Sequence, residues 1–351
     1  MKSKNILFFI PDLNQESGGI RQYAAGLLTI ISTLPREYRI YVLSNGNDPV
    51  ILEIIQSSVN LELVTTYAYR ASIFRKILNK IYNINVVIFN EIFKKKLTKR
   101  FYNPIAELIL KLKIDIIHCP YQFIPEVKNV KLICTMHDVQ ELHFPSFFAP
   151  EERAHRAINY NDFIKRADVI IVSFEHVKQD ILEFFQKDDD AVKVVLLKMN
   201  NLWFNKYIKA ANNISNLKLS FSKYIFYPAN MWPHKNHKNL VKSIKLLKEK
   251  GIVVNVVLSG DSNSKNGDIV KEMIHQYNLQ NQFTLVGIVN EAELYNLYKN
   301  SQGVVIPTLY EAGSFPLVES ILMEIPVICS NITSLPETIG NQEFIFDPNS
   351  V

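Results

Sequence analysis

Short β-branched or aromatic runs alternate with stretches of helical periodicity twice along this chain. In the first half the strand-like runs fall at residues 6–10, 40–43, 61–64, 114–118, 132–135, 169–172 and 192–197, with helical patterns at 22–34 and 153–166. Over 198–222 the alternation dissolves into Asn, Lys and Ser, as a linker does. It then restarts, with strands at 224–227, 253–258, 283–286, 303–306 and 327–329. Helical patterns accompany them at 237–249, at 291–299 and from Pro316 to about residue 323. Such alternation predicts a parallel sheet covered by helices on both faces. A chain of 351 residues exceeds what one core holds. The expected fold class is therefore α/β, with two Rossmann-like, doubly wound domains, 1–205 and 206–351. These would face a cleft between the carboxyl ends of their sheets, where ligands bind in such folds.

The net charge of +5 is regional, since residues 70–113 carry eleven Lys and Arg against Glu91 and Glu107, leaving 28 basic and 32 acidic residues elsewhere. Within that segment Phe74, Ile77, Leu78 and Ile81 fall at helical spacing beside Arg75, Lys76 and Lys80. A helix of this kind can lie on an anionic membrane surface, each basic residue contributing ~1 kcal/mol there. The plain alternative is a core helix with a solvated basic face. No nucleic-acid-binding motif accompanies the charge, so no nucleic acid is expected as a partner. No run approaches the ~20 apolar residues of a membrane span. Cys119, Cys134 and Cys329 show no metal or redox spacing and read as buried thiols of a reducing cytoplasm. The expected location is cytoplasmic, with the basic segment against the inner face of the membrane.

The candidate site residues cluster at strand-to-helix turns. "YEAGSFPLVES", residues 310–320, follows the strand at 303–306 and opens a helix near Pro316. Proline is favoured at the first helical position, and the N–H groups of such a helix start attract anionic or oxygen-rich ligands. Glu319 is expected in the first turn, where its two acceptor oxygens suit a vicinal diol such as a ribose. Glu311, before the turn, could reach a second set of hydroxyls. The alternative has Glu319 merely complementing the helix dipole and Glu311 solvated.

"YPANMWPHKNHKNLVKSI", residues 227–244, places Lys235 at the first strand-to-helix turn of the second half, where an ammonium could neutralise a diphosphate or simply face solvent. Lys238 and Lys242 fall on the solvated face of the helix. "NQESGGIRQYAAGLL", residues 14–28, puts Gly18 and Gly19 at a helix start, letting backbone approach a ligand or forming a plain turn. Arg21 follows, either assisting or exposed. The absence of a G-x-G-x-x-G pattern argues against a nicotinamide or flavin enzyme. In "TMHDV", His137 ends a strand and could donate to a sugar hydroxyl, with Asp138 orienting it, or be a satisfied structural histidine. The D-x-D within "KDDDAV" at 187–192 reads as solvated acids, and His118, His143, His234 and His237 lack zinc-ligand spacing. No metal is expected.

Together these motifs resemble the retaining, GT-B-fold glycosyltransferases of family 4, the group 1 transferases, over nearly the whole chain. "PANMWPHKNH", "LSGD", "YEAGSFPLVES" and "PVICSNITSLPE" carry the resemblance in the second half; "SGGIRQYA", "MHD" and "RADVIIVSFEHVKQDIL" carry it in the first. By that likeness Glu319 binds the donor ribose and Lys235 the diphosphate. Glu311 and the backbone of Ala312, Gly313, Ser314 and Phe315 hold the donor sugar. Gly18 and Gly19 approach the donor phosphate and acceptor, and His137 lies beside the donor sugar. Members move a hexosyl group from a nucleoside-diphosphate sugar, such as a UDP- or GDP-sugar, with retention and without metal or other cofactor. The implied acceptor is a glycan or lipid-linked glycan in surface polysaccharide assembly, lipopolysaccharide or capsule. Asn230 stands in the donor set where many relatives carry arginine, and Glu324 where a helix-ending glycine is usual. The sequence stops at "IFDPNSV" where relatives continue, so a shortened C-terminal part is expected. The competing readings are a catalytically silent, membrane-attached partner subunit and a nucleotide-sugar epimerase of the same shape.

Overall fold

A computed structural model of the protein describes residues 4–11, 13, 18–44, 48–64, 92, 104–196, 219 and 222–351. The helix expected at 74–81, most of the basic segment and the expected boundary at 205 lie outside the described residues. The chain divides into two units. One holds residues 1–136, 157–171 and 187–193; the other holds 137–156, 172–186 and 194–351.

The first sheet comprises β1 (Lys4–Ile10), β2 (Tyr38–Ser44), β3 (Leu61–Val64), β4 (Ile116–Cys119), β5 (Lys131–Thr135), β6 (Val169–Val172) and β7 (Val192–Val194). Their order is β3-β2-β1-β4-β5-β6-β7, with parallel pairing of β1 to both β2 and β4. The last five residues of β1 are all buried, as a parallel strand covered on both faces requires. α1 (Gly18–Ile31) follows β1 and α2 (Pro49–Ser57) follows β2. Asp48 caps α2, accepting from the N–H groups of Val50 and Ile51, and Arg21 of α1 binds the same carboxylate. Arg21 thus ties two helices together. α3 (Pro104–Leu112) precedes β4, α4 (Gln140–His143) and α5 (Pro150–Arg166) follow β5, and α6 (Glu175–Phe185) follows β6.

The second sheet is built from β8 (Ile225–Pro228), β9 (Val256–Ser259), β10 (Phe283–Gly287), β11 (Gly303–Ile306), β12 (Val327–Ser330) and β13 (Ile345–Phe346). Its order, β10-β9-β8-β11-β12-β13, is the doubly wound one. Between the strands run α7 (His237–Glu249), α8 (Lys265–Gln276), α9 (Glu291–Lys299), α10 (Phe315–Leu322) and α11 (Leu335–Ile339). Phe226, Val257, Leu258, Val304 and Ile306 from the strands bury against Leu240, Val241, Ile244 and Leu317 from the helices. The strand expected from residue 253 starts later, at Val256, because Ile252 and Val253 are 50% and 72% exposed.

The end of α10 resolves the question raised by Glu324. The Ile325 N–H donates to the Ser320 carbonyl at 2.9 Å and the Glu324 N–H to that of Ile321 at 3.1 Å, the paired bonds of a Schellman turn. Glu324 reaches this turn in the left-handed region, at φ 58°. The turn forms without glycine, against a conformational cost of about 1 kcal/mol for an L-residue. Glu324→Gly is therefore expected to raise the thermal midpoint by about 2–4 °C. An unchanged or lower midpoint in a melting curve contradicts this account of the turn.

Candidate active site

In the second sheet β8 and β11 are neighbours, yet the chain leaves them in opposite directions, β8 toward β9 and β11 toward β12. The carboxyl ends of two such strands form the crevice at which ligands meet open α/β sheets. Lys235 comes from the turn after β8 and Glu311 from the loop after β11, and here they meet. The Lys235 Nζ donates to Glu311 Oε1 at 2.9 Å and to Oε2 at 2.6 Å, with the two side chains 15% and 10% exposed. The sequence reading placed them on separate parts of a ligand. The structure pairs them, and Glu311 is not a solvated loop residue.

The turn carrying Lys235 is held from several sides. The Tyr227 hydroxyl donates to the Lys235 carbonyl at 2.9 Å, while the Leu309 N–H and the Thr308 hydroxyl both donate to the His234 carbonyl, at 2.7 and 2.9 Å. Asn236 adopts φ 59° and donates its amide N–H groups to the carbonyls of Pro307 and Pro348. Burial, aided by the charge of Lys235, pulls His234 and His237 down to about 3. Both imidazoles are neutral, so Lys235 supplies the positive charge at this turn.

The Glu311 loop is equally fixed. Its carbonyl accepts from the hydroxyls of Thr333 and Ser334 at 2.7 and 2.9 Å. Tyr310, 3% exposed, packs against the rings of His143, His176 and Phe144 at centroid distances of 5.4, 6.1 and 6.2 Å. His143 in turn lies 2.9 Å from Asp180 through Nε2 and Oδ1. A Cβ on Gly313 would stand 2.9 Å from the Phe174 ring, so the loop carries glycine where an aromatic edge closes on it. Ala312 is half-buried between Glu311 and Gly313. The helix α10 begins at Phe315, with Pro316 second, and Ser314 caps it by accepting from the Leu317 N–H at 3.4 Å.

Glu319 is the fifth residue of α10, in the second turn and not the first as expected. Its Oε2 accepts a 2.7 Å hydrogen bond from the Tyr298 hydroxyl. Asn230, expected among the donor-binding groups, accepts from the Asp261 N–H through Oδ1 at 2.7 Å. It thereby fastens the loop after β8 to the "LSGD" loop after β9. His137 is half-buried between β5 and α4, and Asp138 accepts from the Gln140 N–H at 3.4 Å. Gly18 and Gly19 open α1, in the other unit. The acids at 188–190 are exposed, as the sequence reading has them. Among the described residues no group of three or more His, Cys, Asp or Glu side chains is gathered as metal ligands. Nor is any described helix long and apolar enough to cross a membrane.

Tyr298, Thr333, Ser334 and Phe174 escaped the sequence reading. Tyr298 sits within an ordinary amphipathic helix, and the others act on residues distant in sequence, so no local pattern marks them.

Two family models match the chain: Glycosyltransferase Family 4 over residues 29–196 and Glycosyl transferases group 1 over 210–351. The chain belongs to the GT-B-fold glycosyltransferases of family 4. It is similar to O-antigen chain mannosyltransferase B of Escherichia coli, 23% identical over 238 residues, which cover 67% of this chain and 62% of that one. It thus spans about three fifths of the length of these curated relatives. Among solved structures, a glycosyltransferase from Rickettsia africae superposes with a TM-score of 0.62 at 21% identity, covering 100% of this chain and 86% of that one. Anabaena HepE, crystallised with UDP and glucose, gives 0.61 at 14% identity, covering 99% and 86%. These likenesses establish the fold.

Proposed function

We propose that this protein transfers a hexosyl group from a nucleoside-diphosphate sugar to a glycan or lipid-linked acceptor in surface polysaccharide assembly. The observation that carries this reading is the part-buried Lys235–Glu311 pair at the carboxyl ends of β8 and β11. The E. coli relative is an O-antigen mannosyltransferase and the Anabaena neighbour binds UDP and glucose, which supports the same donor and acceptor classes here.

In this reading the donor diphosphate replaces Glu311 as the partner of Lys235. An ammonium in a water-poor turn stabilises the charge that develops on the departing phosphate. Glu311, released, accepts hydrogen bonds from hydroxyls of the donor sugar, together with the backbone at Ala312, Gly313, Ser314 and Phe315. Glu319 accepts from the ribose hydroxyls. His137 lies beside the sugar. The bond from the anomeric carbon to the phosphate oxygen breaks as the acceptor oxygen bonds the same face of that carbon. The acceptor proton passes to the departing phosphate oxygen. Configuration is retained and no metal takes part.

The test is product analysis with a panel of UDP- and GDP-sugars and a lipid-linked glycan acceptor, with and without a chelator. Transfer with retained anomeric configuration, insensitive to chelation and to Asp189→Ala, is the expected result. Binding of donors without turnover would favour the silent subunit instead. Inversion of configuration, or loss of activity on chelation, would overturn the corresponding step.

A further inference from the structure

Glu319 does not sit in α10 as a free rotor. Its Oε2 receives the Tyr298 hydroxyl at 2.7 Å, the length of a charge-assisted O–H···O bond. Tyr298, near the end of α9, is 1% exposed, and its ring meets that of Phe226 on β8 edge to face, at 5.1 Å and 89°. The helix that carries it is pinned to the sheet through the Tyr224 hydroxyl, which donates to the Leu297 carbonyl at 2.9 Å. One residue further, the Lys299 Nζ donates to the Met323 carbonyl at 3.2 Å, so the end of α9 holds α10 at two points one turn apart. A buried phenol with a fixed ring has little freedom to follow a wandering carboxylate, so the carboxylate must come to it.

We infer that Tyr298 is a positioning residue for the ribose subsite, aiming the Glu319 carboxylate at the two ribose hydroxyls of the donor. The inference rests on the proposed role of Glu319. A carboxylate oxygen has two lone pairs, so Oε2 can accept from Tyr298 and from a ribose hydroxyl together. With the phenol in place the carboxylate is held in one rotamer before the nucleotide arrives, and the ordering cost of binding is met in advance. Without it, the carboxylate loses the bond that fixes the direction of Oε2. The consequence falls on discrimination between ribose and deoxyribose and leaves the chemical step alone, since Tyr298 touches neither the sugar nor the phosphate.

The experiment measures binding of UDP, GDP and their 2′-deoxy counterparts to the full chain by calorimetry, for the unaltered protein, Tyr298→Phe and Glu319→Gln. The unaltered protein is expected to prefer its ribonucleotide by about 10-fold, the value of one hydrogen bond to a charged group. Tyr298→Phe keeps the ring that packs on Phe226, so it folds. It is expected to weaken ribonucleotide binding by about 10-fold and leave the deoxynucleotide nearly unchanged, collapsing the preference as Glu319→Gln does. In turnover it raises the donor KM with kcat within about 2-fold. A purely structural tyrosine would weaken both nucleotides alike, and an unchanged preference would overturn the inference while leaving the donor site intact. Failure of the unaltered protein to bind either nucleotide would overturn the donor reading itself, and this inference with it.

Discussion

Lys235→Ala is expected to reduce kcat/KM by about 10³-fold and to lower the thermal midpoint by about 10 °C. The two losses have separate causes. Removing a preorganised positive group from the departing phosphate costs about 10²–10³-fold in rate, and weaker donor binding adds to it. The stability loss comes from the ligand-free protein. Glu311, 10% exposed and held bidentately by Lys235, would be left as a largely desolvated carboxylate with its countercharge gone. Breaking one side of such a pair costs about 3–5 kcal/mol, at roughly 2–4 °C per kcal/mol in a domain of this size. The double variant Lys235→Ala with Glu311→Ala removes both charges and is expected to regain most of the midpoint with none of the activity. Initial rates and melting curves on the three proteins check this. A Lys235→Ala protein that melts like the unaltered one, or a double variant no more stable than the single, would contradict the pairing.

The second large effect is on folding. Gly260 lies at φ 116°, a region closed to residues with a side chain, and a Cβ there would stand 2.6 Å from the Ala229 carbonyl carbon and 2.7 Å from the Asn230 nitrogen. Both obstacles are backbone and cannot rotate away. Gly260→Ala must push the loop after β9 off the loop after β8, breaking the 2.7 Å bond from the Asp261 N–H to Asn230. The expected cost is about 3–5 kcal/mol, combining backbone strain with a lost part-buried hydrogen bond, or roughly a 10 °C drop in midpoint. Gly251 is the control: its φ is also positive, at 75°, but nothing lies within 4 Å of a Cβ there. Gly251→Ala is expected to cost about 1 kcal/mol, the torsional part alone. Equal midpoints for the two variants would show that the clash at 260 is relieved by some other movement.

The fold was legible because parallel strands buried on both faces are continuous apolar runs, and the helices between them carry a period the eye can follow. His237–Glu249, Glu291–Lys299 and Gly303–Ile306 begin and end where the pattern places them. Elements whose apolar face is short, such as Leu335–Ile339, or whose start is set by a cap, such as Lys265–Gln276 behind Ser264, left no comparable trace. Charge type at strand-to-helix turns marks Lys235, Glu311 and Glu319 as candidates. It does not give their partners. That Lys235 binds Glu311 and that Asn230 binds Asp261 are consequences of strand order, which brings β8 beside β11 and β9, while Tyr298 and Glu319 come from the helices before and after β11. Single-chain periodicity carries no signal for which strands become neighbours. The turn at Glu324 makes the converse point. A glycine preference is a matter of about 1 kcal/mol, and the two Schellman hydrogen bonds form around a glutamate all the same.

The most direct measurement is a crystal structure of the protein with UDP or GDP bound. The predicted result places a phosphate oxygen within hydrogen-bond distance of the Lys235 ammonium, with Glu311 turned away from it and the ribose against Glu319. A nucleotide bound elsewhere, with Lys235 still clasping Glu311, would contradict the assignment of this crevice as the donor site.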